Sequence, residues 1–197
     1  MARMPSAERR RQLVEAAVRV MARDGVARTT TRSICAEAGV SLSVFHYCFD
    51  SKQELLEAAI GAITGNYVSR VMSAVEPRAT LRETVRAALG SYWDHVVAHP
   101  AEHMLTYELT QYALREAGFE HLARAQYEQY VASAAVLVEQ VCAVRAVTPA
   151  VPVGLLARVL AATIDGLTLQ FLVLGDEEAA AALLDTTADQ LVTLIEG

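Results

Sequence analysis

The 197-residue sequence predicts an all-α chain: an N-terminal three-helix helix-turn-helix head followed by a six-helix C-terminal body. Three features carry that prediction. More than half of the residues are apolar while only five are proline; runs such as Glu178 to Leu184 are rich in alanine; and apolar side chains recur every three or four residues in segment after segment. Alanine and leucine favour helices, and the same composition starves strands. A chain of this length buries a substantial core as one large domain or as a small domain joined to a larger one.

Taken in order, Pro5 and Ser6 precede Leu13, Ala17, Val20 and Met21, one face of a helix that Asp24-Gly25 ends. Thr29, Thr30 and Thr31 offer capping hydroxyls to a short helix over 32–38, which Gly39 closes. Ser41 is placed to cap a second short helix running to about Cys48. Helix, short helix, glycine turn and short helix make the layout of a helix-turn-helix unit. A longer helix, 51–73, starts at Asp50 or Ser51 and carries Leu55, Leu56, Ala59, Ile60 and Ile63 on its apolar side, linking head to body.

Five more helices follow. One covers 80–99 and stops at Pro100; the next covers 101–117 and stops at Gly118. A long helix over 119–147 ends at the breaker Thr148-Pro149-Ala150-Val151-Pro152. Helices over 153–174 and 177–195 are split by Gly175-Asp176. The expected domains are therefore 1–52 and 53–197.

Both closing helices carry an apolar seam. Leu160, Ile164, Leu167, Phe171 and Leu174 recur at four, three, four and three, and Leu184, Ala188, Leu191 and Ile195 at four, three and four. Such a seam wants a partner helix. A four-helix interface between two copies of the chain satisfies both seams; packing onto their own domain is the alternative.

The net charge of −6 hides an asymmetry. Residues 1–34 hold eight arginines (Arg3, Arg9, Arg10, Arg11, Arg19, Arg23, Arg28 and Arg32) against Glu8, Glu15 and Asp24, a net of +5, which leaves −11 for the remainder. A basic head on an acidic body can meet phosphate at one end. The three cysteines, Cys35, Cys48 and Cys142, are scattered and odd in number, so they form neither a disulfide framework nor a paired metal motif, and a reducing cytoplasm fits them best. The N-terminal arginines have no apolar run behind them, unlike a secretory signal. Leu155 to Leu174 is the greasiest segment, but Arg158, Asp165 and Gln170 interrupt it, which argues against a membrane span.

Two clusters could hold chemistry. His46 and Cys48 stand two apart, and on a helix such positions point well away from each other, so the imidazole is badly placed to take the thiol proton. His95, His99 and His103 stand at four-residue intervals with Glu102 beside the last, but Pro100 interrupts the helix and turns His103 off the common face. Neither constellation calls for a cofactor or a metal.

Arg11-Gln12-Leu13-Val14-Glu15-Ala16-Ala17, then Gly25, Thr29-Thr30, Ile34, and Ala38-Gly39-Val40-Ser41 through Phe45, Phe49 and Lys52 resemble the DNA-binding head of TetR/AcrR-type transcriptional regulators over residues 10 to about 58. The resemblance implies a cytoplasmic, homodimeric, ligand-responsive repressor without enzymatic activity, released from a pseudo-palindromic double-stranded DNA operator by a small-molecule effector. It implies DNA contacts from Thr30, Thr31 and Arg32 at the first short helix, from Ser41, Leu42, Ser43, Val44, His46 and Tyr47 on the recognition helix, and from Lys52 to a phosphate. Arg32 has the planar fork that matches a guanine edge, while Val40, Phe45 and Phe49 belong to the core. His46 and Cys48 depart from the family, which usually has tyrosine at the first position and histidine or tyrosine at the second; Ser43 stands where a small residue such as glycine is common.

In this family an effector cavity lies among the body helices. The large side chains Tyr92, Trp93, Met104, Tyr107, Tyr112, Tyr127, Tyr130 and Phe171 are its candidate lining, suited to a partly hydrophobic organic molecule, with ordinary core packing as the alternative. Leu160, Ile164, Leu167, Phe171, Leu184, Leu191 and Ile195 are the candidate dimer interface. The competing functions are a ligand-binding or scaffold protein with a vestigial head, and a helical enzyme using Cys48.

Overall fold

The computed structural model describes residues 6–76 and 78–197, with side chains at all of these except 64 and 66–74. Arg3 and Pro5 of the basic arm lie outside the described residues. The described elements are helices throughout: α1 (Ser6–Asp24), α2 (Thr31–Glu37), α3 (Leu42–Cys48), α4 (Lys52–Ala74), α5 (Leu81–Ala98), α6 (Pro100–Arg115), α7 (Glu120–Arg145), α8 (Val153–Leu174) and α9 (Glu177–Glu196).

Local chemistry explains most of the boundaries. At α2, Thr30 accepts from the Ser33 N–H (3.1 Å) and Ser33 returns the bond to the Thr30 N–H (3.0 Å), a reciprocal cap. Thr80 and Glu83 do the same for α5. Asp176 caps α9 by accepting from the Ala179 N–H (2.9 Å). Gly39, at φ +65°, carries the left-handed turn after α2, and the Val40 N–H closes it by donating to the Cys35 carbonyl (2.9 Å). Pro100 does more than stop α5: it is the first residue of α6, where its missing N–H costs nothing. Ser41 gives no side-chain cap to α3, because its hydroxyl is hydrogen-bonded to that of Ser43 (2.8 Å).

Contacts divide the chain into two compact units. The first takes α1 to α3, α4 as far as Ile63, and Ala101–Gln126; the second takes Thr64–Pro100 and Tyr127–Gly197. This division follows packing, whereas a boundary at 52/53 follows the end of the helix-turn-helix motif, so the two need not coincide.

In the first unit α1 packs on α2 and α3, which also touch each other. Leu13, Met21, Ile34, Phe45, Phe49, Leu55 and Leu56 are fully buried. The amide at the end of α1 is tied to α6, where a Glu108 carboxylate oxygen accepts from the Val26 N–H (3.1 Å). Thr110 donates to the buried Gln126 side chain (3.1 Å), whose amide in turn donates to the Thr106 carbonyl (3.2 Å).

In the second unit α9 packs against α5 and α8. Leu81, Val85, Leu89, Trp93 and Val96 of α5 meet Val138 and Val141 of α7, Leu156, Leu160 and Leu167 of α8, and Leu184, Leu191 and Ile195 of α9 in one core. Arg82 and Arg86 of α5 pair with Asp189 and Asp185 of α9 at its edge.

The seams of α8 and α9 therefore go largely to the chain's own core. Leu160, Leu167, Leu184, Leu191 and Ile195 are buried within one chain, and Ile164 and Phe171 pack against the same cluster half-buried. A side chain already buried in its own chain has little surface left for a second copy. The apolar surface left outside is another face: Leu155, Leu169, Val173 and Leu174 on α8, and Leu183 on α9, with Val173 71% exposed. By length and composition α8 is apolar enough to cross a membrane, yet one side of it is committed to this core.

Candidate nucleic-acid interface

The recognition helix α3 is held from behind. Phe45 and Phe49 are each 1% exposed and pack at 5.7 Å between ring centroids. Arg10 of α1 lies 4.1 Å above the Phe49 ring, donates to the Cys48 carbonyl and pairs with Glu54 at the start of α4 (2.7 Å). A single guanidinium thus ties the first helix to the end of α3 and the beginning of α4. Its cation–π contact and charge-assisted bonds fix α3 against the head core. That role for Arg10 had no signal in the sequence beyond its place in a basic run.

On the opposite side α3 presents its polar and aromatic positions. Ser41, Leu42, Ser43, His46 and Tyr47 are exposed, with Tyr47 at 66%, and Val44 is half-buried. His46 is exposed and Cys48 is buried, so the two side chains do not form a pair. Burial also pushes the Cys35 and Cys142 thiols up from their ordinary range, toward the unreactive protonated form.

The arginines sort themselves by partner. Arg11 pairs with Glu8 and Glu15, Arg19 with Glu37, and Arg23 with Asp24 and Glu37. Arg9 donates to Gln12 (2.7 Å) and Arg28 to the Asp24 carbonyl (2.6 Å). Hydrogen bonds from Arg19 and Arg23 hold the Glu37 carboxyl below its ordinary range. Arg32, on the first turn of α2, is exposed and has no ion pair or side-chain hydrogen bond among the described residues. The excess positive charge of the head is thus largely engaged by neighbouring acids, and Arg32 stands apart as a cation available to a ligand.

Two expected DNA contacts are otherwise engaged. The Thr30 hydroxyl is used in the reciprocal cap with Ser33, so its capacity for a phosphate is reduced. Lys52 is half-buried with its ammonium 5.2 Å from the centre of the Tyr112 ring on α6. Burial lowers its pKa, with Glu116 opposing that shift. Thr31 is half-buried at the start of α2.

The candidate effector residues divide between the units. Met104, Tyr107 and Tyr112 lie on α6 in the first unit, where Tyr112 packs edge-on to Phe119 (5.7 Å). Tyr92, Trp93, Tyr127 and Phe171 lie in the second, as do Tyr130 and Asp165. Trp93 meets Phe171 edge-on (5.0 Å), Tyr127 stacks beside Tyr130 (5.4 Å) and donates to an Asp165 carboxylate oxygen (2.8 Å), and the Tyr92 and Thr168 hydroxyls share a hydrogen bond (3.3 Å). The apolar gap deeper in this unit, about 20 Å³ between Leu89, Val138, Leu160 and Leu191, is too small for an organic effector.

His95 and His99 sit with rings 4.5 Å apart, while His103 is buried on α6 of the first unit. Among the described residues no group of three or more His, Cys, Asp or Glu side chains is placed to hold a metal ion.

Comparisons with known proteins agree with this geometry. Residues 13–59 match the family model of bacterial regulatory proteins of the tetR family, and residues 77–196 match that of the BetI-type transcriptional repressor C-terminal domain. The chain is 28% identical over 187 residues to the nicotine-responsive transcriptional repressor HdnoR of Paenarthrobacter nicotinovorans, covering 95% of each protein. Among solved structures it is similar to a regulator from Streptomyces coelicolor A3(2), at 26% identity and a TM-score of 0.72, covering 94% of this chain and 99% of that one. It is also similar to the multidrug binding protein EbrR complexed with imidazole, at 27% identity and a TM-score of 0.66, covering 95% of this chain and 94% of the other.

Proposed function

Because the chain belongs to the TetR family of bacterial regulatory proteins, and is thereby a DNA-binding transcriptional regulator, we propose that it acts as a cytoplasmic homodimeric repressor released from its operator by a small, partly hydrophobic organic molecule. Residues 1–52 act as the DNA-binding domain and 53–197 as the effector and dimerisation domain. The observation that carries the DNA-binding half is the pairing pattern of the head: a row of exposed side chains on α3 beside the unpaired Arg32, over a closed aromatic core. Arg32 reads a base edge, Leu42 and Val44 touch thymine methyls, and Ser41, Ser43, His46 and Tyr47 contact bases or phosphates. Thr31 contributes to phosphate binding at the start of α2; Thr30 and Lys52 contribute only after their present contacts loosen.

Two heads read half-sites about one DNA turn or a multiple apart, ~10 bp per turn. The copies meet through the outer face of α8 and α9, where Leu155, Leu169, Val173 and Leu183 stand exposed. Tyr92, Trp93, Tyr127 and Phe171 contribute to effector binding, and the relative that responds to nicotine supports a small organic effector. For that effector to release DNA it must bind the DNA-incompetent arrangement of the heads better than the competent one.

The deciding experiment is a mobility shift with the DNA flanking the gene. Wild type is expected to bind in a salt-dependent, sequence-selective way, and the Arg32→Ala, Tyr47→Ala double variant to lose that selectivity. Equal binding by both at moderate salt rules out readout through these residues. A wild type without salt-dependent affinity favours a ligand-binding protein with a vestigial head.

A further inference from the structure

The end of α6 stands where it controls whether Lys52 is available to DNA. We propose that the Tyr112 ring and an operator phosphate compete for the Lys52 ammonium, so that Tyr112 restrains operator affinity through Lys52 without touching DNA. This inference rests on the reading of Lys52 as a phosphate contact in a DNA-binding regulator.

The backbone beneath Lys52 is fixed to the recognition helix. Lys52 is the first residue of α4. Just before it, Ser51 accepts from the Glu54 N–H (3.1 Å), and Glu54 accepts from the Asp50 N–H (2.8 Å) and pairs with Arg10 (2.7 Å). Arg10 also donates to the Cys48 carbonyl at the end of α3. These bonds hold the start of α4 against α3, and what remains free to swing is the flexible stem of Lys52. That stem is turned toward α6, with the ammonium 5.2 Å from the centre of the Tyr112 ring.

The ring is held in place for this contact. Tyr112 packs edge-on to Phe119 (5.7 Å), and its hydroxyl has no hydrogen bond among the described residues, so the ring face and not the phenol tip engages the cation. Burial lowers the Lys52 pKa and the nearby Glu116 carboxylate opposes that shift. The half-buried ammonium has thus exchanged part of its water for a ring face near a carboxylate, with no ion pair of its own among the described residues.

A phosphate makes a competing demand on the same group. A lysine ammonium is a compact point charge, and a charge-assisted bond to phosphate needs its donors within hydrogen-bond range of the oxygens. An exposed cation–π contact is weak, equivalent to about two- to fivefold in an equilibrium. The phosphate therefore wins at the operator, but the free protein keeps the contact that must first be given up. Operator affinity falls by that factor.

Affinity is measured by quantitative mobility shift over a range of salt, with the DNA flanking the gene. The full chain is compared with Tyr112→Leu, Lys52→Gln and the double variant, each checked by thermal unfolding. Tyr112→Leu is expected to bind about two- to fivefold more tightly than wild type. That gain is expected to vanish in the Lys52→Gln background. Once Tyr112→Leu has freed the ammonium, adding Lys52→Gln is expected to flatten the log–log salt dependence by ~0.9, one phosphate contact. Tyr112→Phe keeps the ring face and is expected to bind like wild type. Where Tyr112→Leu disturbs folding, Glu116→Gln serves instead, with a smaller gain that again requires Lys52.

A folded Tyr112→Leu that binds no more tightly than wild type overturns the inference, as does a gain that persists without Lys52. An ammonium able to hold ring and phosphate together would show itself as a loss of affinity in Tyr112→Leu, which has the same consequence. If Tyr112→Leu is misfolded, unchanged affinity in Glu116→Gln decides against the competition. The Lys52→Gln arm separates the failures. Weaker binding and a flatter slope there, without a gain from Tyr112→Leu, remove the competition alone. No effect of Lys52→Gln in either background removes its phosphate contact, and unselective binding by wild type removes the regulator reading beneath both.

Discussion

The two units use their charged and aromatic side chains in opposite ways. In the first, six arginines are bound to neighbouring carboxylates, carbonyls or amides, the large aromatics Phe45 and Phe49 are inside, and what faces outward is a short polar and aromatic row beside Arg32. In the second, Arg82 and Arg86 join α5 to α9, Arg145 of α7 donates to the Arg78 and Ala79 carbonyls ahead of α5, Tyr127 donates to Asp165, and the outward face of α8 is apolar. A surface meant for a polyanion keeps its stray cations tied down so that a few positions carry selectivity. A surface meant for a second helix, or a site meant for an organic ligand, leaves apolar area showing. Local pairing rather than total charge therefore distinguishes a specific nucleic-acid face from a merely basic one.

The largest expected effect lies where the head depends on its aromatic core. Phe45→Ala removes a fully buried ring and is expected to cost about 3–5 kcal/mol of stability, measured by urea unfolding, with loss of operator binding. If operator affinity survives in the folded fraction, α3 is not held by this core as described.

Within the head, Arg32→Ala and Arg19→Ala set the free cation against a paired one. Arg32→Ala is expected to cost about 1–3 kcal/mol in binding to the cognate operator and to relax selectivity at one position. Arg19→Ala, whose guanidinium is occupied by Glu37, is expected to change operator affinity far less. Equal losses in quantitative mobility shifts would erase the distinction between engaged and available arginines.

On the body, Val173→Arg places a charge in the exposed apolar face of α8 and is expected to shift the protein from dimer toward monomer in sedimentation velocity. A charge directed at an apolar interface is left without a partner and is costly to bury. Because Val173 lies outside the core of its own chain, its thermal unfolding at fixed dimer fraction is expected to change little. A variant that stays dimeric would place the interface elsewhere.

The smallest effect concerns acid. Glu37 and Glu54 have their carboxyl pKa values depressed, Glu37 first by the Arg19 hydrogen bond and Glu54 first by the Asp50 N–H. A depressed folded-state pKa contributes stability that is present above the ordinary carboxylate range and lost as pH falls through the folded value. Unfolding midpoints are therefore expected to hold from pH 7 to 5 and to decline below about pH 4, less steeply in Glu37→Gln. Both carboxylates are partly exposed, so screening keeps this contribution small.

Much of the head was legible because its signals are local. A threonine hydroxyl caps the helix that begins beside it, Gly39 supplies a left-handed turn that side-chain-bearing residues rarely adopt, and Phe45 on α3 and Phe49 just after it are the large apolar residues of that stretch and both go to the core. The engagement of Lys52 with Tyr112 was not legible, since the partner is 60 positions away on α6 and nothing near Lys52 marks it. The same holds for Arg10, whose partners span the end of α3 and the start of α4, and for the division of the candidate effector residues between two packing units.

The chain's own order of residues was enough to determine an all-helical molecule, its helix ends to within a residue or two, and a head of short helices around a glycine turn whose resemblance to TetR-type regulators marks it as a DNA reader. Which surfaces of α8 and α9 turn inward was decided only in three dimensions. A seam of Leu160, Leu167, Leu184 and Leu191 declares that two helices need partners, because leucine every three or four residues must leave water. It is silent on whether the partner belongs to the same chain or to another, since burial releases the same apolar surface either way. Here the chain's own core takes the strongest seams and leaves Leu155, Leu169 and Val173 outside.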